Sequence, residues 1–230
     1  MNNTGLLPTY SRNLDLQVEW YTRPAGTVTV GWFRKTVSNY IITSTDTIQP
    51  GDDNGFEGQY AGYVLNTQDN GGKGEFEGFE VSLRQGLRPY LTFLPEIVRG
   101  WEVFGGYNRN LKGEAPNRAG VVTKPLAPNY YDWNANWGVS YMTPRRTLYF
   151  NLRTTLFPEA VTTAATATDL RPVYESKHQR WDATLRYTFP NRNYSLELNG
   201  ANLTNDSWRN FYQGGRNTSR RTFGTNYSLA

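Results

Sequence analysis

The chain has 230 residues, no Cys, a single His and 24 basic against 20 acidic side chains, a formal charge of +4. Without Cys there is no disulfide framework, and one His gives too few ligands for an ordinary zinc centre. The one dense basic cluster is short (Arg216, Arg220, Arg221), so no nucleic-acid partner is expected. Apolar residues, with Gly counted and Tyr left out, make up about 40% against the roughly 45–50% of a globular domain. Aromatics make up 15% and charged residues 19%. That balance argues against a helical bundle, which is rich in Ala, Leu, Glu and Lys, and against a disordered tail, which is poor in aromatics. No run of about 18 apolar residues is present, so no transmembrane helix is expected. Met1-Asn2-Asn3-Thr4-Gly5 lacks the charged-then-apolar pattern of a secretory signal.

Period-2 alternation recurs along the chain and predicts nine strands. In Leu14–Trp20, Leu14, Leu16, Val18 and Trp20 alternate with Asp15, Gln17 and Glu19. Val28, Val30 and Trp32 share a face in the second strand, and Phe79, Val81 and Leu83 in the third. Trp101, Val103, Gly105 and Tyr107 set the fourth. The fifth runs from Trp133 to Tyr141 and the sixth from Leu148 to Leu152. Trp181, Ala183, Leu185, Tyr187 and Phe189 oppose Arg180, Asp182, Thr184, Arg186 and Thr188 in the seventh. Tyr194, Leu196 and Leu198 oppose Ser195, Glu197 and Asn199 in the eighth, and Phe223, Thr225, Tyr227 and Leu229 close the chain.

Short connections (Thr22–Gly26, Thr143–Arg146, Pro190–Asn193) carry the Pro, Gly and Asn that preset turn dihedrals. They alternate with long polar stretches, about 43–72, 112–130, 158–177 and 203–221; the connection 88–100 is intermediate. Several strands begin or end on Trp or Tyr, as aromatic girdles require, and the face opposite the apolar one carries charge. The predicted fold is all-β: an antiparallel up-and-down meander of about nine strands. It would form a partial outer-membrane β-barrel with long extracellular loops and short periplasmic turns. A soluble, aromatic-rich carbohydrate-binding β-sandwich shows the same stripe and stays open at this point.

Asn13–Tyr21 followed by Gly31-Trp32-Phe33-Arg34-Lys35-Thr36-Val37-Ser38-Asn39-Tyr40-Ile41 resembles a strand, short turn and strand ending in F-(Y/R)-K-x-(I/V)-x-(D/N)-(F/Y)-I. Lys73-Gly74-Glu75-Phe76-Glu77-Gly78-Phe79-Glu80 resembles a G-x-x-x-G-F-E strand, and Phe93-Leu94-Pro95 with Arg99-Gly100 the turn after it. Asn202-Leu203-Thr204-Asn205 resembles a late N-L-(T/F)-(N/D) signature, and Arg221–Leu229 a last strand. Together, and in this order, these segments resemble the C-terminal part of the barrel of TonB-dependent outer-membrane receptors.

The resemblance implies a transport receptor of the bacterial cell outer membrane and no enzyme activity. Such a receptor takes up a scarce nutrient, such as a siderophore, cobalamin or a glycan, with energy transmitted by TonB. Its partners would be outer-membrane lipid, the small-molecule or glycan ligand, TonB through a plug domain, and the barrel-assembly machinery. Residues 1–230 would then be the C-terminal portion of the barrel, with plug and first strands outside them. The family's usual final aromatic is replaced here by Leu229-Ala230. A passive porin-like or autotransporter-like barrel is the alternative.

No catalytic constellation, metal site or cofactor motif is expected. His178 reads as a polar residue of the extracellular rim. Gly51-Asp52-Asp53-Asn54-Gly55 lacks the EF-hand spacing and terminal Glu, and reads as a solvated turn. Loop aromatics beside polar groups suit stacking on sugar or catechol faces, and the candidate ligand residues are Tyr130, Tyr131, Trp208, Arg209, Phe211 and Tyr212. Tyr60 and Tyr63 lie in another long loop. A tight turn at Pro190–Asn193 pairs residues whose numbers sum to 383. Arg186 is then opposite Glu197, as an ion pair in the barrel lumen.

Overall fold

The structure is a computed structural model that describes residues 3–116, 122–123, 131–163, 172–212, 217–222 and 224–229. Sixteen strands are described: β1 (Tyr10–Thr22), β2 (Gly26–Ser38), β3 (Ile41–Thr47), β4 (Val64–Asn70), β5 (Gly74–Gly86), β6 (Trp101–Pro116), β7 (Val122–Thr123), β8 (Trp133–Met142), β9 (Leu148–Phe157), β10 (Ala160–Thr163), β11 (Val173–Glu175), β12 (His178–Thr188), β13 (Ser195–Ala201), β14 (Ser207–Tyr212), β15 (Asn217–Thr222) and β16 (Asn226–Leu229). The only helical turn among the described residues is Glu96–Val98.

The main sheet runs β1-β2-β5-β6-β8-β9-β12-β13-β16, with β7 paired to β6. Each of the nine segments read from alternation is one strand of this path, in chain order. β1 and β16 end the path, so the ladder is open and the fold is a partial barrel wall. The long connections are not plain loops. β3 and β4 pair from Ile41↔Asn70 to Thr47↔Val64, and β10-β11-β14-β15 form a second antiparallel sheet. Two residues separate β9 from β10 and β11 from β12, and β14 follows β13 after the turn at residues 202–206.

Cross-strand register shows how the faces divide. Trp101 pairs Tyr141, Tyr141 pairs Phe150, Phe150 pairs Leu185, Leu185 pairs Leu198 and Leu198 pairs Leu229. One step away the row reads Glu102, Ser140, Asn151, Thr184, Asn199 and Ser228. One step further it is apolar again: Val103, Val139, Leu152, Ala183, Gly200 and Tyr227. Opposite residues share a face and successive residues alternate. Six strands therefore present one apolar and one polar surface.

Among the described residues the apolar surface has no packed counterpart. Leu14, Leu16, Val18 and Trp20 are 53–71% exposed, and Leu185, Tyr187 and Phe189 41–44%. Among the described residues only Val37 and Ala160 are buried hydrophobics. A soluble sandwich would bury this stripe beneath a second sheet. No such sheet lies on it among the described residues, and the sandwich reading falls.

The chain divides into two compact units. One holds Met1–Leu14, Arg34–Phe76 and Lys112–Leu126. Within it the β3–β4 hairpin ties to residues 3–9: the Asn70 carboxamide donates to the carbonyls of Leu7 (3.0 Å) and Asn39 (3.1 Å), and accepts the Leu7 N–H at 2.8 Å. Glu75 there is held between Arg34 and Lys112, the latter at 2.5 Å. The other unit holds Asp15–Phe33, Glu77–Leu111 and Ala127–Ala230. In it Gly78 lies where a Cβ would meet the Arg109 carbonyl oxygen at 2.5 Å and the Phe33 ring at 2.7 Å. Only Gly fits at that crossing.

Candidate functional site

The polar surface of the larger unit carries charge pairs, two of them, Arg153–Asp182 and Arg186–Glu197, between residues the register sets directly opposite one another. Arg153 pairs with Asp182 at 3.5 Å, and Arg180 reaches the same carboxylate at 3.2 Å. Arg84 approaches Glu102 at 3.4 Å, and the Asn108 amide donates to Glu80 at 2.7 Å. Arg186 and Glu197 are Cα partners, and the guanidinium contacts Oε2 at 2.5 Å. Asn199 donates to the other Glu197 oxygen at 2.9 Å and accepts from Thr184 at 2.8 Å. Each carboxylate in this row has a cation or amide beside it, which satisfies its charge.

Where β12 begins, the extended strands enclose an aromatic cluster. His178 is 3% exposed. Its ring stacks on Phe157 with centroids 4.8 Å apart, meets Trp208 at 4.5 Å, and faces the edge of Tyr131 at 6.3 Å. The imidazole Nδ1 lies 3.3 Å from the Ser176 carbonyl and 3.6 Å from Glu175, while Nε2 is buried without a hydrogen-bond partner. Glu175 is 6% exposed and accepts the Tyr131 hydroxyl at 2.7 Å. Burial first, and then this carboxylate, raise the Tyr131 phenol above its usual range. The reading of His178 as a polar rim residue missed this burial; three rings and one carboxylate surround it instead.

The six candidate ligand residues separate. Tyr131 and Trp208 converge on His178. Phe211 stacks on Tyr174 at 5.8 Å with the planes 22° apart, and Tyr212 pairs with Val173 across β11 and β14. Arg209 alternates with Trp208 along β14, so its side chain leaves the opposite face, where Arg220 is its direct cross-strand partner. Tyr130 lies outside the described residues. Trp208 also lines a cavity of about 220 Å³ with Arg180, Ala201, Asn202, Asp206 and Asn226.

In the smaller unit, Phe56, Tyr60 and Tyr63 form an edge-to-face ladder with centroids 5.9 Å apart at both steps. Tyr60 and Tyr63 are 55% and 67% exposed. Tyr60 sits at φ 58° and Glu57 at φ 54°, a conformation that L residues other than Asn and Asp rarely adopt. The Asn54 side chain closes the turn, donating to the Gln49 and Gln59 carbonyls and accepting the Phe56 and Gly58 N–H groups. Among the described residues no three His, Asp or Glu side chains are grouped to hold a metal.

The family model described as TonB dependent receptor-like, beta-barrel matches residues 1–203. The chain is similar in fold to a ferric enterobactin receptor (PfeA) from Pseudomonas aeruginosa, at 17% identity and TM-score 0.65, with 99% of this chain and 31% of that one covered. The FrpB iron transporter from Neisseria meningitidis aligns at 12% identity and TM-score 0.62, with the same coverage. The siderophore receptor PirA from Acinetobacter baumannii aligns at 16% identity and TM-score 0.56, covering 87% of this chain and 28% of that one. A search among curated proteins gave no match. The chain thus spans about a third of the solved receptors it resembles. With the family model matching most of its length and the order of its strands, the chain belongs to the TonB-dependent receptor-like β-barrel family.

Proposed function

We propose that this chain is wall and loop of an outer-membrane receptor that takes up an iron–siderophore complex with energy from TonB. The observation that carries this reading is the strict division of six strands into an uncovered apolar surface and an ion-paired polar one, in a chain of this family. The apolar rows face lipid, and the polar rows line the lumen, with Arg186–Glu197 as a structural pair in water. The names of the similar structures, a ferric enterobactin receptor, an iron transporter and a siderophore receptor, support iron chelates over cobalamin or glycans as the ligand class.

Residues 1–230 form the C-terminal portion of the barrel. TonB acts through a plug domain outside these residues, and the barrel-assembly machinery inserts the whole. The role is transport rather than catalysis. Tyr60 and Tyr63 at the β3–β4 tip, and Trp208 with Tyr131 above β8 and β12, offer aromatic faces to a planar catecholate or heterocycle. Along β14 Tyr212 shares the face of Trp208, while Phe211 and Arg209 share the other; Tyr130 is a candidate by sequence alone.

The test is uptake. The longest natural polypeptide that carries this chain, expressed in a receptor-deficient, iron-starved bacterium, is expected to restore TonB-dependent accumulation of a ferric siderophore. Accumulation that persists without TonB would point to a passive pore. Binding of none across a siderophore panel would remove the proposed ligand class.

A further inference from the structure

β14 and β15 place Arg209 directly opposite Arg220. Like charges facing each other across a strand pair destabilise it. The Arg220 guanidinium donates to Ser207 Oγ at 3.2 Å, and both arginines are exposed. Among the described residues no carboxylate forms an ion pair with either. They line an open cleft of about 560 Å³ with Lys177, Gln179, Trp181 and Asp206. The Asp206 carboxylate is already occupied: its oxygens accept the N–H groups of Gln179 at 2.5 Å and Ser207 at 2.9 Å. Three cations thus share a cleft whose one acid is committed to the backbone.

The face matters as much as the charge. Trp208 packs on His178, so Arg209 points to the other side of β14. Gln179 and Trp181 alternate with His178 and Arg180 along β12. They lie on the side of Ala183, Leu185, Tyr187 and Phe189, the apolar stripe. From Trp181 to Phe189 the strand rises about 26 Å, which at the usual tilt of roughly 35–45° spans about 20 Å of an apolar band about 25 Å tall. Trp181 therefore marks one aromatic girdle, and Lys177, four residues before it in the chain, lies up to about 13 Å beyond it, at headgroup level.

We infer that Lys177, Arg209 and Arg220 form a binding site for the phosphate of a phosphorylated lipid headgroup in the outer leaflet, with its acyl chains against Trp181 and the stripe below. A phosphate oxyanion between the two guanidiniums supplies the charge that the cross-strand pair lacks. The inference rests on the apolar stripe facing lipid, as proposed above.

The test uses the longest natural polypeptide carrying this chain, folded in detergent micelles doped with diphosphoryl lipid A, with its dephosphorylated form, or with inorganic phosphate alone. Retained lipid phosphate per protein is measured after washing, and unboiled electrophoresis reports the folded barrel. Wild type is expected to retain the phosphorylated lipid and not its dephosphorylated form. The Arg209→Gln/Arg220→Gln double variant should retain about tenfold less or lower still, the scale of one lost charge-assisted hydrogen bond. Arg192→Gln, in the turn at the other end of the strands, should retain as much as wild type. The double variant should also unfold later than wild type without lipid and earlier with it, a reversal that a purely structural role would not produce. A folded double variant that retains lipid like wild type would overturn the site while leaving the wall reading intact. Inorganic phosphate that binds as well as the lipid and displaces it at millimolar concentration would overturn the lipid source. A polypeptide that neither folds in micelles nor inserts in bilayers would overturn the wall reading as well.

Discussion

Arg186 and Glu197 meet at 2.5 Å across β12 and β13, while the residues on either side of them, Leu185 with Leu198 and Tyr187 with Leu196, leave the opposite face. A single register thus separates charge from apolar surface. The two faces should respond differently to substitution. Leu198→Arg puts a guanidinium midway along the apolar stripe and is expected to cost about 2–4 kcal/mol in a bilayer. Glu197→Gln leaves Arg186 in contact with water and is expected to cost far less. Urea unfolding of both variants in lipid vesicles measures this, and equal costs would contradict the assignment of faces.

Tyr131 and Glu175 give a pH-dependent prediction. Tyr131→Phe leaves a buried carboxylate without its hydroxyl donor, an expected loss of about 1–3 kcal/mol. The Tyr131 pKa is raised in the folded state, so its contribution is fully present below about pH 10, the unfolded value, and is lost as pH rises toward the folded one. The gap between wild type and Tyr131→Phe should be constant from pH 7 to 9 and shrink above about pH 10. A gap that widens with pH would show that the phenol is not held by burial.

His178 is expected to tolerate an apolar ring. Its Nε2 is buried without a partner and its ring stacks on Phe157 and Trp208. His178→Phe should therefore change stability by less than about 1 kcal/mol, whereas His178→Ala, which opens a cavity, should cost about 3 kcal/mol. Thermal unfolding of the two variants separates packing from polarity.

Gly78 tests the close crossing of β2, β5 and β6. A methyl group there meets a backbone carbonyl at 2.5 Å, which cannot rotate away. Gly78→Ala is expected to cost about 1–3 kcal/mol by overpacking. Gly55, whose Cβ would meet nothing within 4 Å but whose φ is +84°, should lose less on the same change. Denaturation midpoints of the two variants give the comparison.

The main sheet was legible in the sequence because an apolar and a polar face on opposite sides impose a period of two, and because short turns fix register. The Pro190–Asn193 turn was enough to set Arg186 opposite Glu197. The strands of the long connections were not legible. Thr43-Ser44-Thr45-Asp46-Thr47 shows no apolar alternation, and Val173–Glu175 is too short to show a period at all. The His178 cluster was hidden for another reason. Phe157, Glu175, Trp208 and Tyr131 come from β9, β11, β14 and the segment before β8, and nothing local in any of them announces the others. The opposition of Arg209 and Arg220 likewise needs the β14–β15 register, which Gln213–Arg216 between the strands does not declare.

In the proposed wall, odd-numbered residues of β12 face lipid and even-numbered ones face water. Single cysteines placed from 181 to 189 in the longest natural polypeptide, labelled with nitroxide and reconstituted in vesicles, measure this directly. Collision with oxygen, which dissolves in lipid, should peak at 181, 183, 185, 187 and 189; collision with a water-soluble nickel chelate should peak at 182, 184, 186 and 188. Alternation in the opposite phase, or accessibility with no period of two, would contradict the account.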